Sequence, residues 1–168
     1  FSIYRMKHLI ELRVVEHGLS EFPAAAGRAK LKLIVAGGTN PGKTTMLRCL
    51  LNEIPPEERV VTVEDNLELG LDRFVDLHPD QVTWERRGAN IEGRGEASLA
   101  DCVRATLRQN PDRVIVGEIR GVEVVDMLRA MSQGNDGSMS SIHADSSKGA
   151  LVRLGMYTAE AGLDEETS

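Results

Sequence analysis

The sequence predicts an α/β fold, a mostly parallel sheet flanked by helices. Four short apolar runs, LKLIVA (31–36), RVVTVE (59–64), RVIV (113–116) and SMSSIH (138–143), read as strands with little polar alternation. They alternate with segments of helical periodicity, the order that builds parallel sheets with helices on their faces. One strand-to-helix junction, at 37–44, is rich in glycine, and the 168 residues suffice for one domain with its own core.

Each element has a local reason. Residues 6–17 place Leu9, Leu12 and Val15 near one helical face and run into Gly18, a helix-ending residue. Ser20 is the expected cap of a second short helix through 24–29, with Pro23 tolerable in its first turn. LKLIVA is expected to be a buried strand, and 43–53 a helix broken by Pro55-Pro56. RVVTVE is the next strand, and VTWE (82–85) a short half-exposed one. The clearest helix is 98–109, where Ser98 and Asp101 make a capping box and Pro111 stops it. RVIV, a helix over 122–132, SMSSIH and a helix from Lys148 complete the chain. Cys49 and Cys102 form no CxxC pair and read as reduced, semi-buried side chains of an intracellular protein.

Composition excludes several classes. Hydrophobic residues at 41% and charged residues at 27% exclude a disordered chain. No apolar run approaches the ~20 residues that span a bilayer. Aromatics at 4% are too few for base-stacking platforms, so a nucleic-acid partner is not expected. The net charge of −6 is uneven: residues 53–85 hold ten acids and two bases.

The glycine-rich junction, Gly37-Gly38-Thr39-Asn40-Pro41-Gly42-Lys43-Thr44, matches G-x-x-x-x-G-K-[ST] at every fixed position, after a strand and before a helix. Glycines let the backbone wrap a polyphosphate, and N–H groups at a helix start point at the anion. Residues Gly38 through Thr45 are therefore the candidate nucleotide-binding residues. Lys43 supplies a cation for the β- and γ-phosphates and Thr44 a hydroxyl for Mg²⁺. Pro41 lacks an N–H, so the loop presents one donor fewer, with less than a tenfold effect expected from Pro41→Ala.

Hydrolysis needs carboxylates as well. RVIVGE ends a buried strand in Gly117-Glu118, as a Walker B strand does, and so places Glu118 at the carboxyl edge of the sheet. Glu64, Asp65 and Glu68 crowd where another strand leaves the sheet; three acids so close favour a shared cation. His143 closes the fourth strand, where a lone histidine is open to a structural or a functional reading.

The stretches GGTNPGKTT (37–45), VTVEDNLEL (61–69), NIEGRGE (90–96), LRQNPDRVIVGEIRG (107–121) and MSQGNDGSMSSIHAD (131–145) together resemble the type II/type IV secretion ATPases. They are most similar to the CpaF-like branch that drives tight-adherence (Flp-type) pilus assembly. The resemblance implies a RecA-like P-loop core, ATP and Mg²⁺ as ligands, and a homo-hexameric ring. It also implies a polytopic inner-membrane platform protein as partner, with the ring cytoplasmic and peripheral to that membrane, not inserted in it. By position it makes Glu68 a general base or water-orienting residue and Glu118 the Walker B glutamate. Glu64 and Asp65 become partners of the Mg²⁺ shell beside Thr44 and Glu118, and His143 a γ-phosphate sensor. Arg87 is the first choice among Arg5, Arg87, Arg104 and Arg120 for the arginine that steadies transition-state charge. Residues 1–22 are expected to end a preceding domain and its linker, and 23–168 to form an ATPase core that stops short of the family's last segment. A nucleotide-binding assembly module without efficient hydrolysis is the alternative function; a small-molecule kinase lacks an acceptor-site signature.

Overall fold

The structure, a computed structural model, describes residues 5–11, 13, 15–39, 42–132 and 134–166. Its strands are β1 (Leu33–Gly37), β2 (Val60–Glu64), β3 (Gln81–Glu85), β4 (Arg113–Ile119) and β5 (Met139–His143). The helices are α1 (Met6–Glu11), α2 (His17–Arg28), α3 (Gly42–Leu51), α4 (Leu99–Thr106), α5 (Glu123–Ser132) and α6 (Ser147–Glu166). The five strands form one all-parallel sheet in the order β1-β5-β4-β2-β3.

Alternation along the strands sends side chains to two faces. Val60, Ile115 and Met139 pack with Leu47, Leu50 and Leu51 of α3 and with Met6, Leu9 and Ala24 of the first two helices. Val63, Val114 and Val116 face Cys102 and Val103 of α4 and Val124 and Met127 of α5. Ile34, Ala36 and Ile142 are covered by Ala150, Leu154 and Tyr157 of α6. The result is a three-layer sandwich, with the helix that follows β1 on one face and those that follow β3, β4 and β5 on the other.

Several expectations are corrected. LKLIVA is half-buried along its whole strand because β1 stands at a sheet edge with only β5 beside it. The strand around 82–85 is the opposite edge. The predicted helix over 6–17 is two helices: α1 ends at Glu11, and Arg13 takes the left-handed φ of 55° that turns the chain back. Gly18 and Pro23 then fall inside α2, whose N-cap is Glu16 rather than Ser20. By contrast, the Ser98–Asp101 capping box forms with both of its bonds, and Asn110, at φ 52°, closes the 3₁₀ turn that extends α4 before Pro111.

β4 carries one irregularity that matters for function. Val116 pairs with Ser140 and Ile119 with Ile142, so β4 advances three residues while β5 advances two. The extra residue is a bulge at Gly117-Glu118. Ser140 Oγ donates to the Val116 carbonyl and Ser141 Oγ to the Gly117 carbonyl, each at 2.7 Å, which explains serines in a buried strand.

Cys49 and Cys102 are both buried free thiols, and burial pushes the Cys49 thiol up to about 11. Among the described residues no helix is long and apolar enough to cross a membrane. His78 is fully buried, with Nε2 3.4 Å from Asn52 Oδ1, and burial holds its pKa below the ordinary 6.5. A folded-state pKa below the unfolded one means the unfolded chain takes the proton first, so stability falls as pH drops below about 6.5. In denaturant titrations, His78→Gln is expected to remove most of the decline between about pH 6.5 and 5. An unchanged decline would assign it to other groups.

Candidate active site

Parallel strands present their carboxyl ends to one edge, and the connections after β1 and after β4 leave on opposite faces, which opens a crevice there. The structure has a cleft of about 550 Å³ at that edge. β1 delivers the glycine-rich loop, β2 delivers Glu64 and the 65–69 turn, β4 delivers Glu118 and Arg120, and β5 delivers His143. Gly42 opens α3, so the unpaired N–H groups of its first turn belong to the same edge.

A continuous polar chain crosses the cleft. Lys43 Nζ donates to the Gly38 carbonyl at 2.6 Å and lies 3.3 Å from His143 Nδ1. An ammonium only donates, so Nδ1 accepts and Nε2 carries the ring hydrogen. That nitrogen is 3.0 Å from Glu118 Oε1. Arg120 Nε donates to Glu118 Oε2 at 2.5 Å, and Arg120 Nη1 to Asp65 Oδ2 at 2.8 Å. Arg86 Nε completes the row on Asp65 Oδ1 at 2.8 Å. The hydrogen bond from Arg120 to Glu118 raises the guanidinium pKa further.

A second cluster lies beside it. Thr44 Oγ1 donates to Glu68 Oε2 at 3.2 Å. Glu64 is 3% exposed, and its Oε2 accepts the backbone N–H groups of Glu68 and Leu69, each at 2.8 Å. Burial raises its carboxyl above the ordinary range, against the two N–H groups that lower it. A Cβ on Gly117 would come within 3.1 Å of Glu64 Cγ, so the glycine before Glu118 makes room for this buried acid.

The structure gathers Thr39, Lys43, Thr44, Thr45, Glu64, Asp65, Glu68, Glu118 and His143 around one cleft. Gly38 contributes the carbonyl that holds Lys43; Asn40 and Pro41 lie outside the described residues. Thr44, Glu64, Asp65 and Glu118 all line the cleft. Glu64 Oε2 accepts the two backbone N–H groups while its buried Oε1 has no hydrogen-bond partner, and Asp65 is paired with two arginines. Thr44 Oγ1 meets Glu68, and the two Glu118 oxygens face His143 and Arg120; all are oxygen donors of the kind Mg²⁺ takes. Among the described residues no group of three or more His, Cys, Asp or Glu is gathered for a metal.

Of the four candidate arginines, Arg120 is in the cleft and the others are not. Arg87 is exposed on the 86–97 loop, where its Nε donates to the Gly95 carbonyl at 2.7 Å. Arg104 pairs with Asp101 of its own helix and ties α4 to α5 through Asp126, and exposed Arg5 holds His8 through its backbone N–H. Arg48 was missed. It lines the cleft, and its spacing of four from Thr44 on α3, which puts both on one helix face, was the available signal.

Comparison with known proteins agrees with this geometry. The family described as "Type II/IV secretion system protein" matches residues 2–165. A protein of Mycobacterium tuberculosis named for conjugal transfer is 42% identical over 148 residues, 84% of this chain and 41% of the relative. The crystal structure of the VirB11 ATPase from the Brucella suis type IV secretion system, in complex with sulphate, covers 92% of this chain and 41% of its own. It is 30% identical, with a TM-score of 0.74. The pilus retraction motor PilT with bound ADP covers 73% of this chain and 34% of its own, at 25% identity and a TM-score of 0.53. The chain spans about two fifths of the length of the M. tuberculosis relative. With a glycine-rich loop, a strand-borne glutamate and a strand-end histidine converging on the carboxyl edge of a RecA-like sheet, the chain belongs to the type II/IV secretion system protein family.

Proposed function

We propose that this chain is the core of a motor that hydrolyses ATP with Mg²⁺ and acts as a homo-hexameric ring in a secretion or pilus-assembly machine. The observation that carries the reading is the meeting of Lys43 and Thr44 with Glu118 and Glu68 in one cleft. The sulphate bound by VirB11 and the ADP bound by PilT support an anionic nucleotide as the ligand. The finer placement in the tight-adherence branch rests on the wording of the motifs; the relatives reported above carry conjugal-transfer and type IV secretion names. The expected location is the cytoplasmic side of the inner membrane, peripheral to a polytopic platform protein. Residues 1–22 are assigned to the end of a preceding domain and 23–168 to the ATPase core.

The residues divide the work. N–H groups at the start of α3 hold the phosphates, and Lys43 moves from Gly38 and His143 onto their oxygens. Thr44 and Glu118 would hold Mg²⁺, which when bound would neutralise charge on the phosphate oxygens. Glu118 and Glu68 orient a water for attack on the γ-phosphorus, and a carboxylate takes its proton as the bond to the ADP oxygen breaks. His143, released by Lys43, faces the γ-phosphate. Arg87, outside its own chain's cleft, is assigned to the cleft of a neighbouring copy.

Lys43→Ala in the complete protein is expected to lower phosphate release at saturating ATP by at least about a hundredfold. Turnover within threefold of wild type would overturn the ATPase reading. Phosphate release near background in the wild-type ring, with nucleotide still bound, would favour the assembly-module alternative.

A further inference from the structure

We infer that Arg48 is a positioning residue for Glu68, half of a clamp whose other half is Glu64; this rests on the ATPase reading above. The 65–69 turn leaves β2 without strand partners for its backbone, so something else must hold it. Glu64 takes the two N–H groups of residues 68 and 69 on a single carboxylate oxygen, Oε2. Arg48, reaching over from α3, takes the two carbonyls of the same residues: Nε donates to the Leu69 oxygen at 3.0 Å, and Nη2 donates to the Glu68 oxygen. Residues 68 and 69 are thus fixed through all four of their backbone polar groups, by one acid and one base.

The fixed backbone aims the Glu68 side chain. Leu69 is buried in the core below, at 1% exposure, while Glu68 itself is exposed to the cleft and meets Thr44 Oγ1 at 3.2 Å. Thr44 and Arg48 share one face of α3. The helix that begins at the phosphate loop therefore holds Glu68 twice, by its side chain and by its backbone. Phosphate loop and carboxylate keep one spacing whatever the sheet does. In this scheme Arg48 acts through the turn, with its Nε and Nη2 on carbonyls of residues 69 and 68. A planar guanidinium serves two adjacent carbonyls at once, which a lysine ammonium on a shorter reach does less well.

The test uses the complete protein, with wild type, Arg48→Gln, Arg48→Lys and Lys43→Ala compared by ATP turnover and by hydrogen exchange. Arg48→Gln is expected to lower kcat by about ten- to a hundredfold, the cost of a misplaced reacting group, with KM within about threefold. Exchange over 65–70 should accelerate at least about fivefold while 113–119 stays unchanged. Arg48→Lys should fall between the two in both readouts. Unchanged exchange over 65–70 overturns the clamp. So does a kcat within twofold of wild type, a rise in KM with kcat held, or a general acceleration that includes 113–119. If Lys43→Ala leaves turnover intact, the ATPase reading fails instead, and the exchange arm still decides whether Arg48 holds the turn.

Discussion

Glu118→Gln is expected to lower ATP turnover by at least about a hundredfold, within the range a positioned acid or base supplies, while nucleotide affinity stays within about threefold. The change is nearly isosteric, so the argument rests on hydrogen-bond polarity. Glu118 stands between two donors, Nε2–H of His143 and Nε–H of Arg120. A carboxylate accepts from both; an amide accepts on one side and donates on the other. Turned with its oxygen to Arg120, the amide forces His143 to accept at Nε2 and move its hydrogen to Nδ1, where the Lys43 ammonium then faces a donor. Turned the other way, it sets its NH₂ against Arg120. Either way one cation loses one of its two partners, Lys43 keeping the Gly38 carbonyl or Arg120 keeping Asp65, and the carboxylate that would take the water's proton is gone. Phosphate binding by the α3 N-terminus and Lys43 is left intact, which predicts loss in kcat rather than in KM. Steady-state phosphate release together with titration of a fluorescent ATP analogue measures both. A kcat within threefold of wild type would show that Glu118 only braces Arg120 and His143.

The same network shows which parts of the site were legible in the sequence. The glycine-rich loop was, because its pattern is local and the strand and helix around it are strong. Glu118 and His143 were, because parallel strands must end at one edge. Within the acidic stretch 53–85, the crowding of Glu64, Asp65 and Glu68 favours a shared cation, but a window of sequence counts only its own charges. In the fold, Arg86 and Arg120 reach Asp65, and Arg48 reaches the backbone after Glu64. Three arginines from outside the window attend acids and carbonyls inside it. Burial was similarly non-local: LKLIVA is as apolar as a central strand, yet stands at the edge because β5 covers only one side of it. Which arginine lines this chain's cleft was not legible for the same reason: Arg120 does, and Arg87 lies on the 86–97 loop. Arg120 enters by following a bulge in β4, and nothing in the GEIR stretch announces an extra residue.

A buried ion pair that no motif marks is expected to matter for stability. Glu58→Ala is expected to destabilise the chain by about 3–5 kcal/mol, the cost of stranding a buried charge. Arg113, at the start of β4, is 0% exposed. Its Nε and Nη2 donate to the two oxygens of Glu58 at 2.7 and 2.9 Å, and its Nη1 donates to the Gly27 carbonyl at 2.5 Å. Gly137, at φ +81°, leaves the space: a Cβ there would sit 2.6 Å from Nη1. Removing the acid leaves a guanidinium with one carbonyl and no water. The pair itself is not the source of net stability, since desolvating both ions offsets most of their attraction. Glu58→Leu with Arg113→Met should therefore be closer to wild type than either single change. Arg113 also holds the Glu58 carboxyl below its ordinary 4.5, first by hydrogen bonding. With the folded pKa depressed, that contribution is present above about pH 4.5 and is lost as pH falls through the folded value, a loss that Glu58→Gln should not show. Urea titration across pH measures all three variants; a Glu58→Ala cost under about 1 kcal/mol would mean that water reaches Arg113. The clamp joins the end of α2 to the amino end of β4, the strand whose opposite end carries Glu118. These variants should therefore lower stability while the folded fraction keeps its nucleotide affinity.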